Sequence, residues 1–377
     1  MRHLASPSAA PGVGTGIGRE VGPEEFVLTA VPGPGESPDE VFARLGARLR
    51  ASGGEPVALF VYGAVGGREG VERAKRGGLG EAEWPETWVE CAACDGGALA
   101  GAQLVVWRGG GVERVRVGGR VLGAAYADGR RRHCWLGGIR PQVPGLVPPA
   151  QAQQAIGLAE LVLDLAGFEL GDVVRTWFYN DDILAWYGDF NRVRTARYAN
   201  VQWRSGSLPA STGIGARNRT GAALSVGFRA WRPKGGASAR VAVVAPPREI
   251  ASPLQCPAPR YGSSFSRAME VAVGETGRWL TVSGTASIHP DGRTAWVGDA
   301  RRQVDLTMEV VAAILRSRGM DWRHVTRATA YYRHAADVRH FQAWQSEHAQ
   351  AALPVVNTAS VVCRDDLLFE IEVDAVA

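Results

Sequence analysis

The stretch that decides the fold runs to the C-terminus: QVDLTMEVVAAILRSRGM (303–320), HVTRATAYY (324–332), DVRHFQAWQSEHAQ (337–350), LPVVNTAS (353–360) and FEIEVDAVA (369–377). Apolar residues recur at helical spacing in the first and third segments, and at strand spacing in the second and last. The same order occurs earlier, with a helix AQQAIGLAELVLDLAGF, a strand DVVRTWFY, a helix DFNRVRTARYANV, a proline in LPAST and a hairpin ending SVGFRAW, all within residues 150–231. VVRTWFY aligns with VTRATAY and LPAST with LPVVN. A weaker copy runs through VFARLGARLRASGG, PVALFVYG, GVERAKRGG, PETWVECA and AGAQLVVW. The last two copies are each preceded by a strand with a glycine step, HCWLGGI and WLTVSGTASI. A repeat of this size is one supersecondary unit used several times. The expectation is an α+β chain of three lobes at 25–115, 116–245 and 246–377, behind a flexible tail at 1–24. A Gly/Pro-rich linker, APPREIASPLQCPAPRYGSS, enters the last lobe.

A chain of 377 residues, 46% hydrophobic, is long enough for several cores. Its net charge of +4 is mild, and Lys occurs only at Lys75 and Lys234 among 42 basic residues, a bias that GC-rich codon usage accounts for. No nucleic-acid partner is inferred from it. No run of 18 apolar residues exists, and the N-terminus lacks an apolar signal core, so a cytoplasmic location without membrane contact is expected. Five cysteines argue against a disulfide framework. Cys91 and Cys94 form a CxxC in the strand-like WVECAACDG, but no second Cys/His pair follows at zinc spacing, so no metal and no cofactor is expected.

In the closing VVCRDDLLFEIEVDAVA (361–377), Leu367, Phe369, Ile371 and Val373 fall on one face of a strand, and Glu370, Glu372 and Asp374 on the other. Cys363 precedes the Arg364-Asp365-Asp366 turn, which folds its thiol back toward Glu370. A solvated acidic face with a packed cysteine competes with a site reading here.

The third lobe, through SRAMEV, SGTASI, DGRTAWVGDARRQVDLTMEVVAAIL, LPVVN and LLFEIEVDAVA, resembles the RidA/YjgF family, whose members form trimers of such lobes with ligand clefts between them. That resemblance implies an internal trimer here, and hence a monomer. The family's imine-hydrolysing members carry an Arg two residues after the proline; this chain has Val356 there, with Ser211 and Thr87 in the other lobes. Their cleft glutamate matches Glu370, whereas Ser225 and a small residue near Gly101 stand in the other copies, so one cleft of three keeps the acid.

Over about 240 residues the chain also resembles the chorismatases, through RTWFYND (175–181), PASTGIGARN (209–218), YGSSFSRA (261–268) and SGTASI (283–288). The resemblance implies release of pyruvate from chorismate, with Glu370 as the essential acid. Hydroxybenzoate-forming members have a Cys seven residues before that Glu, where diol-forming members have a small residue; Cys363 implies 3-hydroxybenzoate as product, with 4-hydroxybenzoate beside it in relatives from xanthomonadin-type pathways. A diol-forming hydrolase, a RidA-like imine hydrolase and a non-catalytic binding protein are the alternatives.

Protonating an enol ether carbon requires a neutral carboxylic acid, which burial of Glu370 would supply. Chorismate is a dianion, so guanidinium and phenol donors are expected around it. Arg175 and Tyr179 share one strand face, as do Arg327 and Tyr331 in the aligned strand. Tyr198, Arg204 and Arg217 follow in the second lobe, and Gly284 in SGTASI allows close backbone approach. These eight residues are the expected substrate contacts, with Glu370 and Cys363 at the reacting end.

Overall fold

The structure, a computed structural model, describes residues 16–20, 24–143, 145–234, 244–273, 276–348 and 352–377. Three sheets carry the repeat. In each, a central strand pairs in parallel with the strand reached through a crossover helix, and antiparallel with the last strand of the unit. The central strands are Glu55–Gly63, Val173–Asn180 and Val325–Tyr332. Their parallel partners are Glu86–Glu90, Ala210–Gly215 and Val355–Ala359, and their antiparallel partners Leu99–Trp107, Leu224–Pro233 and Phe369–Val376. Helices Pro38–Ser52, Pro148–Leu165 and Ala300–Ser317 precede the central strands, and Arg68–Leu79, Ile183–Tyr198 and Val338–His348 make the crossovers. The fold is α+β, with tandem RidA-like lobes forming a pseudo-trimer within one chain.

Local chemistry explains the helix ends. Ser37 and Glu40 form a reciprocal capping box ahead of the first helix, and the Asp299 side chain caps the fifth by accepting from the Arg302 N–H at 3.0 Å. The fourth helix starts at Ile183, six residues before its apolar pattern suggested, because the Asp181 carbonyl is held by Trp186 Nε1 at 2.8 Å and the turn ends on Asp182 at φ 46°. Within the 1–24 tail, Gly16–Glu20 is a strand paired antiparallel with Glu25–Ala30; residues 1–15 and 21–23 lie outside the described residues. Strand Glu113–Val117 belongs to the second sheet, and the short Ala92–Ala93 strand of the CxxC segment to the third.

Each sheet buries one face against its own helices, and the other faces meet in a shared core. That core holds Phe60, Tyr62, Trp135, Trp177, Tyr179 and Tyr331. The pairings superpose the lobes residue by residue: Tyr62 opposes Gly101, Tyr179 opposes Ser225 and Tyr331 opposes Glu370. The ring closes through bridges at each junction, Glu90 with Arg217, Ala210 with Ser266, Gly215 with Val361, and Ala359 with Ala92.

Candidate functional site

The terminal strand Phe369–Val376 has two faces, and both are buried. Ile371 and Val373 pack on the lobe's helices, while Glu370 and Glu372 point at the second lobe and Asp374 pairs with Arg327 of its own lobe at 3.3 Å. The solvated acidic face that the alternation allowed is therefore absent, because the neighbouring sheet covers it. Three carboxylates without water must be neutralised or paired. Glu372 takes the paired route: Arg175 Nη2 (2.7 Å), Trp177 Nε1 (2.9 Å) and Thr212 Oγ1 (2.6 Å) donate to one oxygen, and Arg327 Nη2 (2.6 Å) to the other. Arg327 and Arg175 hold its carboxyl below the usual range despite full burial.

Glu370 takes the other route. Among the described residues no protein group donates a hydrogen bond to its carboxyl. Burial, and then the Glu372 charge, push its pKa up to about 8, with Arg175 and Arg267 pulling the other way. At neutral pH it is a carboxylic acid. Gly284 makes room for it, since a Cβ there would sit 2.1 Å from Glu370 Oε1, and the Gly284 N–H donates to Thr212 Oγ1 at 3.1 Å.

The acid opens into a cleft of about 730 Å³ between the second and third lobes. Its walls come from helix Ile183–Tyr198, strand Ala210–Gly215, the segment entering the third lobe, and the terminal turn. Cys363 lines it, and burial with the Glu370 charge pushes the thiol up to about 12, so it stays protonated. Two guanidiniums stand in the walls. Arg194 is 1% exposed, donating to Asn191 Oδ1 (2.6 Å) and Ser211 Oγ (3.3 Å) and lying over Phe190 and Phe265. Arg267 is 3% exposed, donating to the Cys256 carbonyl (3.1 Å) and lying over Tyr261 and Phe265, with Nη2 unpartnered. Among the described residues neither has a carboxylate within salt-bridge distance, so two buried positive charges face the cleft uncompensated.

The structure brings Glu370, Cys363 and Gly284 together in this cleft and leaves the other expected contacts outside its lining. Arg175 and Arg327 hold Glu372 behind the acid, and Tyr179 and Tyr331 are fully buried in the shared core, because the strand face they share turns inward to the other sheets. Tyr198 packs edge-on against Trp203. Arg204 donates to Asp172 Oδ1 at 2.6 Å, and Arg217 is exposed 3.5 Å from Asp181. The position two residues after the proline also shifts: Thr87, Thr212 and Val356 oppose Phe60, Trp177 and Thr329, so the middle lobe's equivalent is Thr212 and not Ser211.

Arg194 and Arg267 escaped the sequence reading. Arg194 carried a signal, standing in the apolar stripe Ile183, Trp186, Phe190, Tyr198, where a charged residue has no reason to be unless its charge is used. Arg267 lies inside YGSSFSRA, preceded by the aromatic residues that cradle it.

Residues 258–377 match the family model described as Endoribonuclease L-PSP. The crystal structure of a chorismatase is similar to the chain at TM-score 0.60 and 21% identity, covering 85% of this chain and 92% of that one. A putative endoribonuclease L-PSP from Entamoeba histolytica (19% identity, TM-score 0.30) and the YjgF product of E. coli (21%, 0.27) cover 35% and 34% of this chain, and 99% and 97% of their own. No curated protein matches.

Proposed function

We propose that the chain is a chorismatase, cleaving chorismate to pyruvate and 3-hydroxybenzoate with Glu370 as the general acid. The observation that carries this reading is the neutral, unpartnered carboxyl of Glu370 facing a cleft with two uncompensated guanidiniums. A dianion with an acid-labile enol ether fits that combination of charges. Arg194 and Arg267 take the two carboxylates, in place of the arginines expected from the strand pattern. The likeness to a chorismatase structure agrees with this reading at the level of fold.

Glu370 gives its proton to the terminal methylene carbon of the enolpyruvyl group, whose π pair forms the new C–H bond. An oxocarbenium ion results, facing the Glu370 carboxylate. Its carbon is then attacked by the neighbouring ring hydroxyl, which gives up its proton to form a cyclic ketal. Glu370 takes a ring C–H proton as one ring C–O bond breaks and the ring becomes aromatic, and the released alkoxide regains the hydroxyl's proton and collapses to pyruvate and the phenol. No water is consumed. Attack by water instead would give pyruvate and a dihydroxycyclohexadiene carboxylate. Cys363 is a selectivity residue in this scheme: a protonated thiol occupies the space where a competing water would stand. An imine hydrolase would want an arginine where Thr212 stands, and Thr212 is instead bonded to Glu372, Arg175 and Gly284.

Incubation of the purified chain with chorismate, with chromatographic identification of the products, tests the assignment. Pyruvate with 3-hydroxybenzoate is expected, and the same chromatogram reports any 4-hydroxybenzoate beside it; chorismate recovered intact would refute it.

A further inference from the structure

The pseudo-symmetry supplies a second cleft, of about 290 Å³, between the first and second lobes. It is built from the same elements as the acid-bearing one: crossover helix Arg68–Leu79 and strand Glu86–Glu90 of one lobe, and the glycine step and last strand of the next. The Gly138 N–H donates to Thr87 Oγ1 at 3.0 Å, as Gly284 does to Thr212. Val226 pairs with Ile139 as Ile371 pairs with Thr285, which sets Ser225 at the Glu370 position and Arg140 at that of Ala286. The acid on one strand has thus become a cation on its neighbour. Charge at this point in the sheet is reversed.

Arg140 has no carboxylate within salt-bridge distance among the described residues, and its Nε is buried without a partner. Arg120 beside it donates, among the described residues, only to the Gly138 carbonyl, at 2.9 Å. Burial and repulsion by Arg120, Arg219 and Arg68 draw the Arg140 pKa down to about 10, which an anion would reverse. Of the acids lining the cleft, Glu72 and Glu86 both hold Lys75, Glu72 also holds Arg219 at 3.4 Å, and Glu81 is solvent-exposed. Trp84 and Trp88 line the cleft at 6% exposure each, and the indole N–H of each lacks an acceptor among the described residues.

We propose that this cleft binds a small aromatic carboxylate, with Arg140 and Arg120 taking the carboxylate and the Trp84 and Trp88 indoles taking the ring. With Ser225 in place of the acid it performs no proton transfer and is a binding site alone. The proposal stands on this cleft's own residues and survives if the acid-bearing cleft acts on something other than chorismate.

Calorimetric titration of the full chain with benzoate tests it, in a background of Arg194→Gln and Arg267→Gln that removes the carboxylate anchors of the other cleft. One saturable site is expected. Adding Arg140→Gln should weaken it at least about tenfold, the scale of one charge-assisted pair. Unaltered benzoate binding after Arg140→Gln, or none before it, overturns the proposal. Wild-type crystals soaked in 4-bromobenzoate give a reading independent of any variant's folding: anomalous bromine signal beside Trp88 and Arg140 is expected, and bromine signal confined to other sites overturns the assignment.

Discussion

At the scale of single residues, Glu370 and Glu372 share one strand face and titrate in opposite directions, the first raised to about 8 and the second lowered. Replacing Glu370 by Gln keeps the size and removes the proton, so pyruvate release should fall by at least ~100-fold while chorismate binding, measured by calorimetry, survives. In the wild type, kcat/KM should be level below about pH 8 and decline above it, because the protonated form acts. The same shift sets a stability signature. Between the ordinary glutamate range and about 8 the unfolded chain sheds a proton that the folded chain keeps, so stability declines as pH rises through that window. Glu370→Gln lacks this loss, and its Tm should gain on that of wild type from about pH 5 to about pH 8. Cys363→Ala should keep pyruvate release and shift the ring product toward the dihydroxy-diene acid; since about 1.4 kcal/mol between competing barriers moves the ratio tenfold, the product profile is a sensitive readout, and an unchanged profile would make Cys363 a packing residue. The proximity of Glu370 and Cys363 was legible from period-two alternation and a turn, while their choice as candidate site residues came from the chorismatase resemblance. Arg267 was not legible, and Arg194 only through its place in an apolar stripe, because what singles both out is a missing carboxylate, a property of three-dimensional packing.

At the scale of elements, the strand face Arg175, Trp177, Tyr179 was correctly paired with Arg327, Thr329, Tyr331 and assigned to the wrong surroundings. Alternation reports which residues share a face and is silent on what covers it. Here the covering is another sheet, and the arginines answer Glu372 in place of a ligand. Among the described residues, Glu372→Gln would leave buried Arg175 without a carboxylate and Arg327 with Asp374 alone, costing about 3–5 kcal/mol, visible as a lower midpoint in denaturant. The glycine step acts on the acid directly. Gly284→Ala places a methyl where Glu370 Oε1 lies, so turnover should drop while far-UV circular dichroism keeps the wild-type form. Wild-type turnover in that variant would mean that the acid can act from another rotamer.

At the scale of the whole molecule, the order helix, strand, helix, strand, hairpin was readable three times over, and with it the lobe architecture. The inequality of the clefts was only partly readable: the missing acid in two copies follows from alignment, but the reversed charge at Arg140 needs the strand pairing. The bridges between lobes occupy edges that would otherwise recruit other chains, so light scattering should report a monomer, and an obligate trimer of the full chain would contradict the internal closure. The proposed function joins this architecture to a single acid. Its most direct test is the rate of pyruvate release from chorismate by wild type and Glu370→Gln, side by side at neutral pH with folding verified. Release by wild type and a loss of at least ~100-fold in the variant is the predicted result; equal rates, or no release by either, would contradict it.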